Sequence, residues 1–154
     1  MSCGDVFKFY FVHSLLQREM ERCLKRHASY LGLSSIELQV LWIAGSSDTT
    51  TFADLARITS YTKNELDEIV AALERDDLVE QVCAGDSPCR FVRATDKGKQ
   101  IVSQIADRPN RCRCPVDIDA ERLRELTEEC RDFLMQLKGR PAGGLLAHMD
   151  PFEN

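Results

Sequence analysis

The chain of 154 residues lacks most of the features that announce a chemistry. It has no Gly-rich phosphate loop, no His-Glu-x-x-His helix and no nucleophile elbow, and His148 stands alone near the carboxyl end, so an enzyme is not expected. No cleavable signal pattern and no run of twenty apolar residues occurs, which makes a reducing cytoplasm the expected compartment. Glycine and proline are modest, at eight and five residues, and no internal repeat is found, which excludes collagen-like and low-complexity chains. Positive charge is outnumbered, with 20 Lys and Arg against 25 Asp and Glu. The formal net charge is −5, so the whole chain offers no sign of the basic surface on which nucleic-acid binders depend.

What is present suits one globular domain over residues 1–154, with 44% hydrophobic and 29% charged residues. From about Asp5 to Leu31, the residues Phe9, His13, Leu16, Met20, Cys23, His27 and Tyr30 recur every three or four positions and predict a long helix with a near-heptad seam. Gly32 ends it. Ser34 or Ser35 then caps a second helix through Ile36, Leu38, Leu41 and Ile43, closed by Gly45. The polar run Ser46 to Thr51 reads as a surface loop before a short helix with Phe52, Leu55, Ala56 and Ile58.

Thr62 and Glu65 form a Thr-x-x-Glu capping box that starts a helix carrying Leu66, Ile69, Val70 and Leu73. Leu78 to Cys83 and Arg90 to Thr95 read as two strands of a hairpin around Ala-Gly-Asp-Ser-Pro. Thr95 caps a helix with Ile101, Val102 and Ile105 that stops by Pro109. The stretch Pro109 to Pro115 has no apolar period and reads as a connection. A last helix, about Asp119 to Lys138, lines up Leu123, Leu126, Cys130, Phe133 and Leu137, and residues 139–154 form a flexible tail. The expected fold is mainly α with a small β-hairpin wing.

Three helices followed by a hairpin make a winged helix, in which the third helix enters a major groove and the hairpin reaches the adjacent backbone or minor groove. The local words are more specific. Leu55-Ala56, Leu73-Glu74 with Leu78-Val79, and Asp86, Val92, Thr95 and Gly98 resemble the MarR family of transcription regulators in both type and spacing. The similarity covers roughly Leu33 to Ile105. It departs at Asp77, where the family's Leu-Glu-x-x-Gly-Leu-Val pattern carries Gly, and at Ser87 and Pro88, which follow Asp86 where similar proteins place Arg.

The resemblance implies a winged-helix lobe at 33–100, dimerisation helices at 5–31 and 101–138, and a homodimer that binds double-stranded DNA as a repressor or activator. A helix of some 27 residues spans about 40 Å, longer than a small lobe can cover, so part of Phe9 to Tyr30 is expected to pack on a second chain. DNA contacts would come from Thr62, Lys63 and Asn64 at the start of the recognition helix and from Arg90 and Arg93 in the wing.

Charge argues against tight binding. From Thr62 to Asp77, Lys63 and Arg75 face six acids: Glu65, Asp67, Glu68, Glu74, Asp76 and Asp77. The segment Ser34 to Lys99 holds seven basic residues and twelve acids, which places the whole deficit of −5 in the lobe. Phosphate neutralisation supplies most duplex affinity, so an acidic recognition helix predicts weak or conditional binding. The alternative is a winged-helix protein-interaction module, such as an antirepressor or complex subunit, that binds another protein instead. Basic residues do follow, from Lys97 and Lys99 to Arg108, Arg111 and Arg113.

Seven cysteines form no regular disulfide framework. Arg111 and Arg113 flank Cys112 and Cys114, a setting that favours thiolates, so these two are candidates for a redox pair or for ligands of a thiophilic metal such as zinc. Cys83 and Cys89 flank the hairpin turn and are candidates for the same roles. Cys23 and Cys130 lie on apolar seams and read as core residues. Trp42, Tyr30 and Phe11, with Phe7 and Phe91, are candidates for the wall of an effector pocket, the competing role being core packing.

Overall fold

The computed structural model describes residues 2–47, 50–83, 90–106 and 120–136. The expected turn at 84–88, Cys89, the connection at 107–119 with Cys112 and Cys114, and the tail at 139–154 lie outside the described residues. Helices α1 (Cys3–Tyr30), α2 (Ser35–Ser46), α3 (Phe52–Thr59) and α4 (Lys63–Arg75) precede the strands β1 (Val79–Cys83) and β2 (Arg90–Ala94). Helices α5 (Asp96–Ala106) and α6 (Ala120–Gln136) follow. None of these helices is long and apolar enough to cross a membrane.

Local chemistry sets most boundaries. Ser2, Ser34, Thr51 and Thr62 each form a reciprocal capping box with the acid three residues on, Asp5, Glu37, Asp54 and Glu65. Each box satisfies two backbone donors that a helix start would otherwise leave open. Helix α1 stops in a Schellman turn: Gly32 takes a φ of 73°, and the Leu33 amide donates to Ala28 O at 2.9 Å. Helix α4 stops in the same way. There Asp77, at a φ of 58°, stands in the left-handed position, and the Leu78 amide donates to Leu73 O at 2.9 Å.

Leu38, Val40 and Leu41 of α2, Leu55 of α3, Leu66, Val70 and Leu73 of α4, and Val92 of β2 form the centre of the core. Strands β1 and β2 pair antiparallel, with Glu80 opposite Arg93 and Cys83 opposite Arg90. Two expectations change. The run Ser46 to Thr51 is not simply a surface loop: Thr50 is buried, its carbonyl accepts from the Val92 amide at 2.8 Å, and Thr51 bridges Phe91, adding a one-residue third rung to the wing. Gly45 does not close α2, which runs on to Ser46. Its missing side chain admits Val102 of α5, whose methyl would lie 3.1 Å from a Cβ there.

Gly98 has a stronger reason to be glycine. A Cβ at that position would lie 2.0 Å from the Leu78 carbonyl oxygen, so α5 crosses the start of β1 at backbone contact. Thr95 Oγ1 fixes this crossing by donating to Asp77 O at 2.7 Å and accepting from the Gly98 amide at 3.1 Å.

Helix α1 joins the lobe only at its carboxyl end, through Leu24, Ala28 and Leu31. Up to Met20 it exposes large apolar side chains around most of its circumference, interspersed with Asp5, Lys8, His13 and Ser14. Val6, Phe7, Phe9, Tyr10, Phe11, Val12, Leu15, Leu16 and Met20 are all exposed, so the seam is not buried on its own lobe. Its described partner is α6, where the Phe133 ring lies 5.3 Å from that of Phe9.

Candidate nucleic-acid interface

The capping box that starts α4 also determines what its first turn can offer. Thr62 Oγ1 donates to Glu65 Oε2 at 2.7 Å, and the Thr62 amide donates to the same oxygen at 2.8 Å. The Thr62 hydroxyl, followed by its amide, holds the Glu65 carboxyl below the ordinary carboxylate value. The Thr62 hydroxyl is therefore turned onto its own helix. Lys63 and Asn64 are exposed, and among the described residues neither side chain makes a hydrogen bond or ion pair. They are the free polar tips of this turn.

The two wing arginines are held differently. Arg90 follows the strand alternation onto the face shared with Val92 and Ala94, toward the helices. Its Nη1 lies 3.5 Å from Asp67 Oδ1 of α4 and donates to Gln81 Oε1 at 3.4 Å, while its guanidinium sits 5.1 Å from the centre of the Phe52 ring of α3. Arg93 is on the opposite face, where its Nε donates to Glu80 Oε1 at 2.6 Å directly across the ladder. The structure thus gathers Arg90 with α3 and α4 and leaves Arg93 on the outer side of the wing.

The six acids counted against DNA binding divide by role. Glu65 caps its own helix and Asp67 faces Arg90. Glu74 accepts from the Gln81 amide and side chain at 3.0 and 2.8 Å, tying α4 to β1. Asp76 lends its carbonyl to Lys97 Nζ at 2.6 Å, and Asp77 is the left-handed residue of the α4 stop. Glu68 remains an exposed acid on the helix. Sequence reasoning missed Gln81, Phe52 and Glu80 as elements of the site, and cross-strand register was the only signal that could have paired Glu80 with Arg93.

Of the thiol candidates, Cys83 is an exposed free thiol, and Cys89, Cys112 and Cys114 lie outside the described residues. Cys23, expected as a core residue, is half-buried on α1 and disulfide-bonded, while Cys3, Cys83 and Cys130 are exposed free thiols. No three His, Cys, Asp or Glu side chains converge on a metal position among the described residues. Within one chain the three pocket candidates lie apart. Trp42 packs at the edge of the core, Tyr30 and Phe11 are 70% and 63% exposed, and at about 1.5 Å rise per residue the last two lie about 28 Å apart along α1.

Comparison with solved structures places this arrangement. A MarR-family regulator from Rhodococcus sp. RHA1 superposes with a TM-score of 0.69 at 15% identity, over 86% of this chain and 95% of that one. AbsC, a MarR-family transcriptional regulator from Streptomyces coelicolor, gives 0.64 at 21% identity, over 91% and 98%. MepR from S. aureus, solved in complex with DNA, gives 0.59 at 16% identity, over 83% and 96%. No protein-family model and no curated protein sequence matches the chain. The fold is that of the MarR-type winged helix, as the sequence motifs implied.

Proposed function

We propose that this chain is a cytoplasmic, homodimeric transcription regulator whose paired winged helices bind double-stranded DNA. The observation that carries the proposal is the exposed, unengaged Lys63 and Asn64 at the start of α4 with Arg90 beside that helix in the wing, on a fold that in MepR has been solved with DNA. Lys63 and Asn64 are suited to base edges and phosphates, and Arg90 and Arg93 to the flanking backbone. Dimerisation is supported by the exposed apolar half of α1, which is too large a surface for a solitary soluble chain to leave open.

Enrichment of duplexes from a random pool tests the proposal. The expected product is a pseudopalindrome whose half-sites lie about one or two helical turns apart. Recovery of no preferred duplex at low salt overturns it. A second reading, a protein-interaction module, is favoured by one observation: both wing arginines already have acidic partners within the chain.

A thiol response belongs to the same proposal. The disulfide at Cys23 motivates it: in the proposed reducing cytosol such a bond would be of the catalytic or sensory kind, whereas in an oxidising compartment it would be structural. Two thiols would give two electrons and two protons to a hydroperoxide, whose O–O bond breaks to release one alcohol and one water, or two waters from hydrogen peroxide, as the S–S bond forms, and a thiol reductant would restore them. Mass measurement with and without reductant, with metal analysis for zinc at Cys112 and Cys114, decides whether the cysteines are oxidised, metallated or inert.

A further inference from the structure

Arg90 and Arg93 are the only described arginines of the wing, and each guanidinium has a carboxylate of this chain beside it, Asp67 at 3.5 Å and Glu80 at 2.6 Å. Asp67 and Glu80 are both part-exposed, like their arginines, so neither pair is buried for stability alone. Exposed ion pairs of this kind contribute little to folding. They do have an effect on any anion that seeks the same guanidinium groups, because it must displace the resident acid and then remain beside it.

We propose that Asp67 and Glu80 act as internal phosphate mimics that hold Arg90 and Arg93 away from duplex DNA and set its affinity low. The proposal deepens the DNA-binding reading and rests on it. Glu80 makes the shorter contact, a 2.6 Å hydrogen bond to Arg93, but on the outer side of the wing. Asp67 is given the larger part because it stands on α4, one turn on from Lys63, where Arg90, 3.5 Å away, also meets Phe52 and Gln81.

The test is fluorescence anisotropy with a labelled mixed-sequence duplex about 30 bp long, three helical turns, titrated across a salt series. Asp67→Asn should bind about three- to five-fold more tightly than the parent, and the slope of log affinity against log salt should steepen by about one. Glu80→Gln should give a smaller gain of the same kind. Any acid removed near DNA lowers bulk repulsion, so the decisive measurement is a double-mutant cycle. In the Arg90→Gln background the Asp67→Asn gain should vanish.

A gain of equal size in both backgrounds overturns the proposal, since the acid would then act only through net charge. Equal affinity and slope for the parent and Asp67→Asn also overturns it, while leaving DNA binding itself intact. Binding by the Asp67→Asn protein when the parent shows none is its strongest support. Failure of every protein to bind at low salt removes both the proposal and the DNA-binding reading. Matching circular dichroism spectra confirm that the exposed substitutions leave the lobe folded.

Discussion

The lobe and the projecting half of α1 obey opposite rules. In the lobe, every helix start from α2 to α4 has a capping box, and no buried side-chain polar atom among the described residues is left without a partner. Leu38, Val40, Leu41, Leu55, Leu66, Val70, Leu73 and Val92 are fully enclosed. In the projecting half of α1, nine large apolar residues stand exposed. The lobe is therefore complete as a single chain, and the arm is not. A stretch that exposes this many large apolar side chains is suited to being covered by another surface, which the proposed homodimer would supply from a second copy.

The largest expected effect separates the two regions outright. If the proposed homodimer packs through this arm, substituting Phe9 and Leu16 together by Glu should shift it to monomer, with dissociation raised more than about a hundredfold, because two large apolar side chains would become charged. Sedimentation analysis reads the change, and the thermal transition of the lobe should remain in the monomer. Loss of that transition as well would mean that lobe and arm are one cooperative unit.

A lobe substitution should do the converse. Gly98→Ala places a methyl against the Leu78 carbonyl and should cost about 3 kcal/mol in urea unfolding, at the upper end of overpacking effects. The fraction of dimer in the protein that remains folded should be unchanged. A cost under about 0.5 kcal/mol would show that α5 can move away from β1 without consequence.

The smallest effect has the opposite sign. Asp77→Gly should stabilise the lobe by roughly 0.5–1 kcal/mol, since glycine occupies the left-handed position without steric strain. It also removes one negative charge at the end of α4. A loss of stability would indicate that the Asp77 carboxylate makes a contribution that its backbone angle does not reveal.

The elements were legible in the sequence because their signals are local. The Thr62 and Glu65 box, the stop at Gly32, the hairpin strands and the cap at Thr95 each depend on residues within a few positions of one another. Even the departure at Asp77 is understood locally, as an acid accepting a backbone angle that glycine would take more easily. Gly45 was misread for the same reason. A glycine near a helix end resembles a stop, and only the approach of Val102 from a distant helix explains it. The buried Thr50 shows the same limit, because its β2 partner lies far along the chain.

The net charge shows most clearly what composition can and cannot determine. The sequence by itself established that the lobe carries the whole deficit of −5, and it located the acids on and around the recognition helix. It could not assign them. Glu37, Asp54 and Glu65 close capping boxes, Glu74 ties helix to wing, and Asp67 and Glu80 face the wing arginines. Capping is decided by neighbours in sequence, but an ion pair between a helix and a strand is decided by which surfaces the packed core brings within a few ångströms. Tertiary structure alone made Asp67 the partner of Arg90, because the distance between charges, not their number, sets their interaction.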